Sequence, residues 1–247
     1  MITEKGRKQT MKAKEETESM MPDLKAAKLV EQVMQARSEH EKREKVERFR
    51  HLNQFVRKGQ VVFAGSSLME QFPIGEFAVD WDLPCKIYNR GVGGFTTQEL
   101  LAVMGPCIYD LEPRAVFLNI GTNDLNDPDC TVAALMERYG EILRGIRAHL
   151  PQCRLFLLAY YPVNPQVSDL PYIRNVLKYR TNARIEEANT AVRALAEEFG
   201  ATYLDLNTPL RDETGCLKAE YTLEGIHMYA DGYQALLPAL LPVLRQV

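Results

Sequence analysis

Residues 61–72 read VVFAGSSLMEQF. Apolar and small residues run into Gly65, two serines follow side by side, and the pattern then turns helical. A buried parallel strand that hands the chain through a sharp turn to a helix N-terminus has this form. Glycine suits the turn because it has no Cβ to clash. A serine placed next lies where unpaired helix N–H groups can stabilise an oxyanion. The plainer alternative is that Ser66 or Ser67 only caps the helix.

The same alternation continues outward. KIYNRG, AVFLNIG, RLFLLAY and ATYLDL read as further strands. TTQELLAVM, TVAALMERYGEILRGIRAHL, RTNARIEEANTAVRALAEEFG and DGYQALLPALLPVLRQ read as helices between or after them. Near-continuous apolar strands alternating with helices predict an α/β fold: three α/β/α layers around a flavodoxin-like parallel sheet of about five strands. Ligands bind beyond the carboxyl ends of such strands, so the residues just after each strand are the informative ones.

Upstream, residues 1–20 are polar and expected to be flexible. Residues 21–58 read as a helical extension, with Pro22 and Asp23 suited to a first turn, and 59–247 as the α/β domain. Leu24, Ala27, Val30 and Met34 mark one apolar stripe, which a homodimer could use. Val46, Phe49, Leu52, Phe55 and Val56 mark a second, expected to pack on the domain that follows.

Composition narrows the function classes. The chain has 247 residues, 46% of them hydrophobic, enough for one sizeable core with an appendage. A net charge of −3 with no clustered basic excess argues against nucleic acid as a partner. The five cysteines are scattered and form no C-x-x-C pair, which fits a reducing compartment better than disulfides or zinc. The first twenty residues contain no apolar signal-peptide core. The longest apolar run, ALLPALLPVL, is too short to span a bilayer and carries two prolines. A cytoplasmic protein without an integral membrane segment is the expectation.

Three more strand ends carry chemistry. NRGVGGFTT follows the second strand. It fails the G-x-G-x-x-G dinucleotide pattern at Thr96, but it can present a glycine N–H, that of Gly94, to an anionic oxygen. A tight loop capped by Thr96 or Thr97 is the plainer reading. NIGTNDLND follows the third strand, and the Asn123 amide can donate to an oxyanion or make an Asx turn. TLEGIHMYADGY precedes the last helix. His227 is a natural general base near neutral pH, and Glu224, three residues earlier, can hold its Nδ1–H.

Serine, glycine, asparagine and histidine therefore appear in that order at successive rim positions. Here the sequence resembles the SGNH (GDSL-type) hydrolase superfamily from about Val61 to the C-terminus. GSSL resembles its nucleophile block, NRGVGG its second, GTND its third and EGIH its last. The resemblance implies Ser67 as nucleophile, His227 as base and Glu224 as its acid. The oxyanion hole it implies comprises Ser67, Gly94 and Asn123. No metal or organic cofactor is implied. Two departures stand out: Ser66 replaces the usual aspartate before the nucleophile, and Glu224 replaces the usual aspartate of the last block. The implied activity is carboxylic-ester hydrolysis through an acyl-enzyme. Leu68, Phe95 and Tyr161 are candidates for the substrate pocket, and bulk near Gly94 favours a short acyl group such as acetyl. The loop Tyr161–Val176 reads as a long, proline-rich lid, pocket wall or plain crossover. Lysophospholipase or thioesterase activity on longer chains, and a non-catalytic binding module, are the alternatives.

Overall fold

The computed structural model describes the backbone of residues 4–247 and the side chains of Ala26 and residues 28–247. The polar stretch 1–20, expected to be flexible, lies outside the residues whose side chains are described, as do Leu24 and Ala27. Helix α1 spans Glu4–Leu52, longer than the helix expected from Pro22. The chain divides within it into two compact units, one ending at Glu44 and one comprising Lys45–Val247. In the first, Val30 and Met34 are exposed.

The second unit carries the last turns of α1, then β1 (Val61–Gly65), α2 (Ser67–Glu70), α3 (Ile74–Phe77), β2 (Ile87–Gly91), α4 (Thr97–Ala102) and α5 (Met104–Cys107). There follow β3 (Ala115–Asn119), α6 (Val132–His149), β4 (Arg154–Leu158), α7 (Pro171–Leu177), α8 (Asn182–Glu198), β5 (Thr202–Leu204) and α9 (Ala230–Leu244). The strands form one sheet in the order β2-β1-β3-β4-β5, every pair parallel. It is the five-stranded α/β/α architecture that the alternation of strand and helix patterns calls for.

Strand residues alternate between two cores because successive side chains point to opposite faces. Val62, Ala64, Val116, Leu118, Leu155 and Leu157 join the core that also takes in buried residues of α6 and α8. Val61, Phe63, Ala115, Phe117, Phe156 and Leu158 join the other, with residues of α2 and α9. Phe63, Phe117 and Phe156 are register partners across β1, β3 and β4. Their rings stack at centroid distances of 4.8 and 4.4 Å, which fixes register on that face. The second stripe of α1 is divided: Val46 and Phe49 are buried and Val56 packs on the core, whereas Leu52 and Phe55 are exposed. The helix ends at Leu52, so its periodicity no longer governs Phe55.

Candidate active site

β1 has β2 on one side and β3 on the other, so strand order reverses at its carboxyl end. A ligand crevice is expected at such a switch point, and Ser67 begins α2 there. Two glycines make the turn possible. A Cβ on Gly65, whose φ is 150°, would lie 2.0 Å from the Asn119 carbonyl oxygen. A Cβ on Gly91 would lie 2.2 Å from the backbone nitrogen of Glu70, so α2 rests directly on the end of β2. Asn89 holds the far end of α2: its Nδ2 donates to the carbonyls of Met69 at 2.6 Å and Phe72 at 3.2 Å. Ser66 is the N-cap, but its side chain makes no capping bond, and its buried hydroxyl has no partner among the described residues. Capping by the Ser66 side chain is thus excluded as the reason for the double serine.

His227 Nε2 lies 2.9 Å from Ser67 Oγ, and His227 Nδ1 lies 2.5 Å from Glu224 Oε1. The same carboxylate oxygen accepts the His227 backbone N–H at 3.1 Å. The longer glutamate therefore reaches the ring, because the chain between them folds into a tight turn. Thr222 Oγ1 accepts the Gly225 N–H at 2.8 Å and donates to the His227 carbonyl at 2.7 Å. Gly225, at φ 97°, packs where a Cβ would lie 2.1 Å from the Asn164 carbonyl oxygen. Asn164 in turn donates its backbone N–H to the Gly225 carbonyl at 2.8 Å. Burial by itself raises the Glu224 carboxyl, but the hydrogen bonds and charge of His227 outweigh it and hold the group below its ordinary value. An ionised acceptor at Nδ1 puts the ring proton there and leaves Nε2 to accept from the serine hydroxyl.

The glycine and asparagine loops are fastened to each other. Asn123 Nδ2 donates to the carbonyl of Phe95, the residue after Gly94, at 2.9 Å. Asp124, buried, accepts the Thr97 N–H at 2.9 Å and the Thr97 hydroxyl at 2.5 Å. Arg138 Nη2 donates to the same carboxylate at 3.0 Å. Thr96 caps α4 in a reciprocal capping box with Glu99, as the plainer reading of that loop expects. Glu70 accepts the Gly93 N–H and pairs with Lys45, bracing the glycine loop from α2. Among the described residues, the N–H groups of Ser67 and Gly94 and the second amide hydrogen of Asn123 have no protein acceptor.

Leu68, Phe95 and Tyr161 are all buried and belong to the two cores. Their side chains pack into the interior, so the open pocket wall expected of them is not what they form. The proline-rich segment 161–176 is more structured than its sequence suggests. Pro171 opens α7 at its first turn, and Ile173 and Leu177, one helical turn apart, are buried. Its first half is tied down by Asn164, whose Nδ2 donates to the Leu217 carbonyl at 2.7 Å. Arg180, Glu70 and Lys45 escape a reading by motif, and Asp124, although it closes the GTND block, is given no role by it. The only sequence signal of the first three is charge, and charge is normally a sign of exposure.

A parallel three-layer sheet that brings a serine, a histidine and a carboxylate into one hydrogen-bonded line has the build of an acylhydrolase. The chain belongs to the GDSL-like lipase/acylhydrolase family, whose model matches residues 76–235. The matched segment contains Gly94, Asn123, Glu224 and His227 and begins after Ser67. Among solved structures, a protein from Streptococcus pneumoniae, assigned provisionally as a platelet activating factor, is 28% identical. That match covers 87% of this chain and 98% of the other, with a TM-score of 0.77. A GDSL-like lipase from Bacteroides thetaiotaomicron is 19% identical, with 81% and 97% covered and a TM-score of 0.66. An acetylxylan esterase from Geobacillus stearothermophilus is 15% identical, with 76% and 95% covered and a TM-score of 0.59. No curated protein matches the sequence. Among the described residues, no helix is long and apolar enough to cross a membrane.

Proposed function

We propose that this chain is a serine hydrolase of carboxylic esters that works through an acyl-enzyme. The line from Ser67 Oγ through His227 to Glu224 carries the reading. Ser67 Oγ attacks the ester carbonyl while His227 Nε2 takes its proton. Glu224 keeps the ring in the required tautomer and offsets the imidazolium charge. The carbonyl oxygen, now negative, is met by the N–H groups of Ser67 and Gly94 and the spare Asn123 amide hydrogen. Collapse expels the alkoxide, which takes the proton from His227. A water then gives up a proton to the same nitrogen, attacks the acyl carbon, and releases acid and free serine.

Short acyl groups, acetyl first, are the favoured substrates, since an acetylxylan esterase shares this fold. The acetylxylan esterase of this fold is known as catalytic mutants of a serine, an aspartate and a histidine, the acid three positions before the histidine. Glu224 and His227 have the same spacing. The test is turnover of p-nitrophenyl esters from acetate to octanoate by wild type and Ser67→Ala. We expect the highest kcat/KM on acetate and a loss of about 10⁴-fold or more in the variant. Equal turnover by the variant would end the proposal, and a steady rise with chain length would move the substrate to longer acyl esters.

A further inference from the structure

Arg180 follows α7 and is only 3% exposed. Its Nη2 donates to Asn123 Oδ1 at 2.6 Å, and its Nε donates to Asn126 Oδ1 at 2.9 Å. Among the described residues no carboxylate lies within ion-pair distance of it. We infer that Arg180 is the positioning residue that orients and polarises the Asn123 amide as an oxyanion donor. This rests on the ester-hydrolase reading above.

The geometry works from both ends of one amide group. The guanidinium occupies Oδ1, and the Phe95 carbonyl occupies one hydrogen of Nδ2. Turning the amide over would set NH₂ against the guanidinium and the amide oxygen against a carbonyl. Both contacts would become repulsive, so a single orientation is held and one N–H is left facing outward. A cation on the amide oxygen also draws electron density from the nitrogen, which strengthens the remaining donor. Burying that cation is costly, since charged groups are stable in the interior only when paired or hydrogen-bonded. Burial pulls the guanidinium down to about 10, with the charges of Glu224 and Asp124 opposing the fall, so it stays protonated at neutral pH. An imperfectly compensated buried charge gains most when a negative charge appears nearby. That happens only while the tetrahedral oxyanion exists, so the benefit falls on the transition state rather than on substrate binding.

The experiment compares Arg180→Met, Arg180→Lys, Asn123→Ala and the Arg180→Met/Asn123→Ala double variant. The readouts are kcat and KM for p-nitrophenyl acetate, the melting temperature, and the Asn123 side-chain amide signals in ¹⁵N NMR, assigned by their loss in Asn123→Ala. Arg180→Met should lower kcat by about 10- to 100-fold, somewhat less than loss of an oxyanion donor, with KM within about threefold. Arg180→Lys should recover part of the loss. In the Asn123→Ala background, removing Arg180 should change kcat by less than about threefold, since residues acting through one group are not additive. Full multiplication of the two effects, or wild-type kcat in Arg180→Met, would overturn the inference. Should Arg180→Met not fold, Arg180→Lys with and without Asn123→Ala makes the same comparison. Wild-type activity equal to Ser67→Ala would instead defeat the hydrolase reading. In that case the amide signals still decide the positioning: they should be shifted and slow to exchange in wild type, and collapse towards solvent values in Arg180→Met. Unchanged signals in the variant would refute it.

Discussion

Replacing Glu224 by glutamine isolates what the buried carboxylate does for the histidine. The substitution keeps the volume and leaves an amide oxygen that can still accept from the ring, but it removes the charge. In the proposed reaction His227 becomes an imidazolium with Nδ1 2.5 Å from Glu224 Oε1. At an effective dielectric of about 20, that separation corresponds to some 6–7 kcal/mol of attraction. A neutral hydrogen bond returns about 1 kcal/mol. The His227 side chain is 29% exposed against 6% for Glu224, so solvent screens part of the remainder. A loss of about 10³- to 10⁴-fold in kcat is the expected outcome, at about 1.4 kcal/mol for each factor of ten. KM for p-nitrophenyl acetate should move little, because the imidazolium exists only beyond the bound state. The assay is steady-state hydrolysis at pH 7.5, with near-ultraviolet circular dichroism to verify the fold. A folded Glu224→Gln variant within tenfold of wild type would refute the reasoning and leave Glu224 as a brace for the turn alone.

Three further outcomes follow from the same geometry. Glu224 has a depressed carboxyl in the folded chain, so its contribution to stability is present above about pH 4.3, the value of an unfolded glutamate, and is lost as pH falls through the folded value. Urea midpoints from pH 7 to 3 should therefore show wild type and Glu224→Gln converging in acid; a gap that stays constant would contradict the assignment. Gly91→Ala would force a Cβ to within 2.2 Å of a backbone atom of α2, which no rotamer can relieve. It should cost at least the roughly 1–3 kcal/mol of an overpacked core and lower kcat as Ser67 shifts, and an unchanged melting temperature would show that α2 does not rest on β2. Glu70→Gln weakens the brace on the Gly93 N–H and the pair with Lys45. We expect kcat to fall by about 10- to 100-fold with KM within threefold, since small misplacements of a reacting group are costly; an unchanged kcat would show that the glycine loop holds itself.

The sheet was legible because its strands are short runs rich in apolar and aromatic residues set between helical patterns, three of them stopping at glycine or asparagine. VVFAG is β1 to the residue, and each of the other four runs contains its strand. The site was legible because each proposed group follows a strand or precedes a helix, where few residue types serve. What escaped reading depends on long-range packing. Arg180 is 57 residues from Asn123 and carries a charge that normally marks a surface. Leu68 and Phe95 adjoin the proposed groups in sequence, yet their side chains turn into the cores. Ser66 stands at the N-cap of α2, yet its side chain caps nothing and its hydroxyl is buried behind Gly65. α7 was hidden by the prolines around it, although Pro171 stands where a helix tolerates one.

The most direct measurement is covalent labelling with a fluorophosphonate, read by intact mass and peptide mapping. Activation of Ser67 by His227 predicts a single adduct on residue 67, formed rapidly by wild type and lost in His227→Ala. A chain that stays unlabelled, or that carries its adduct on another residue, would contradict the account.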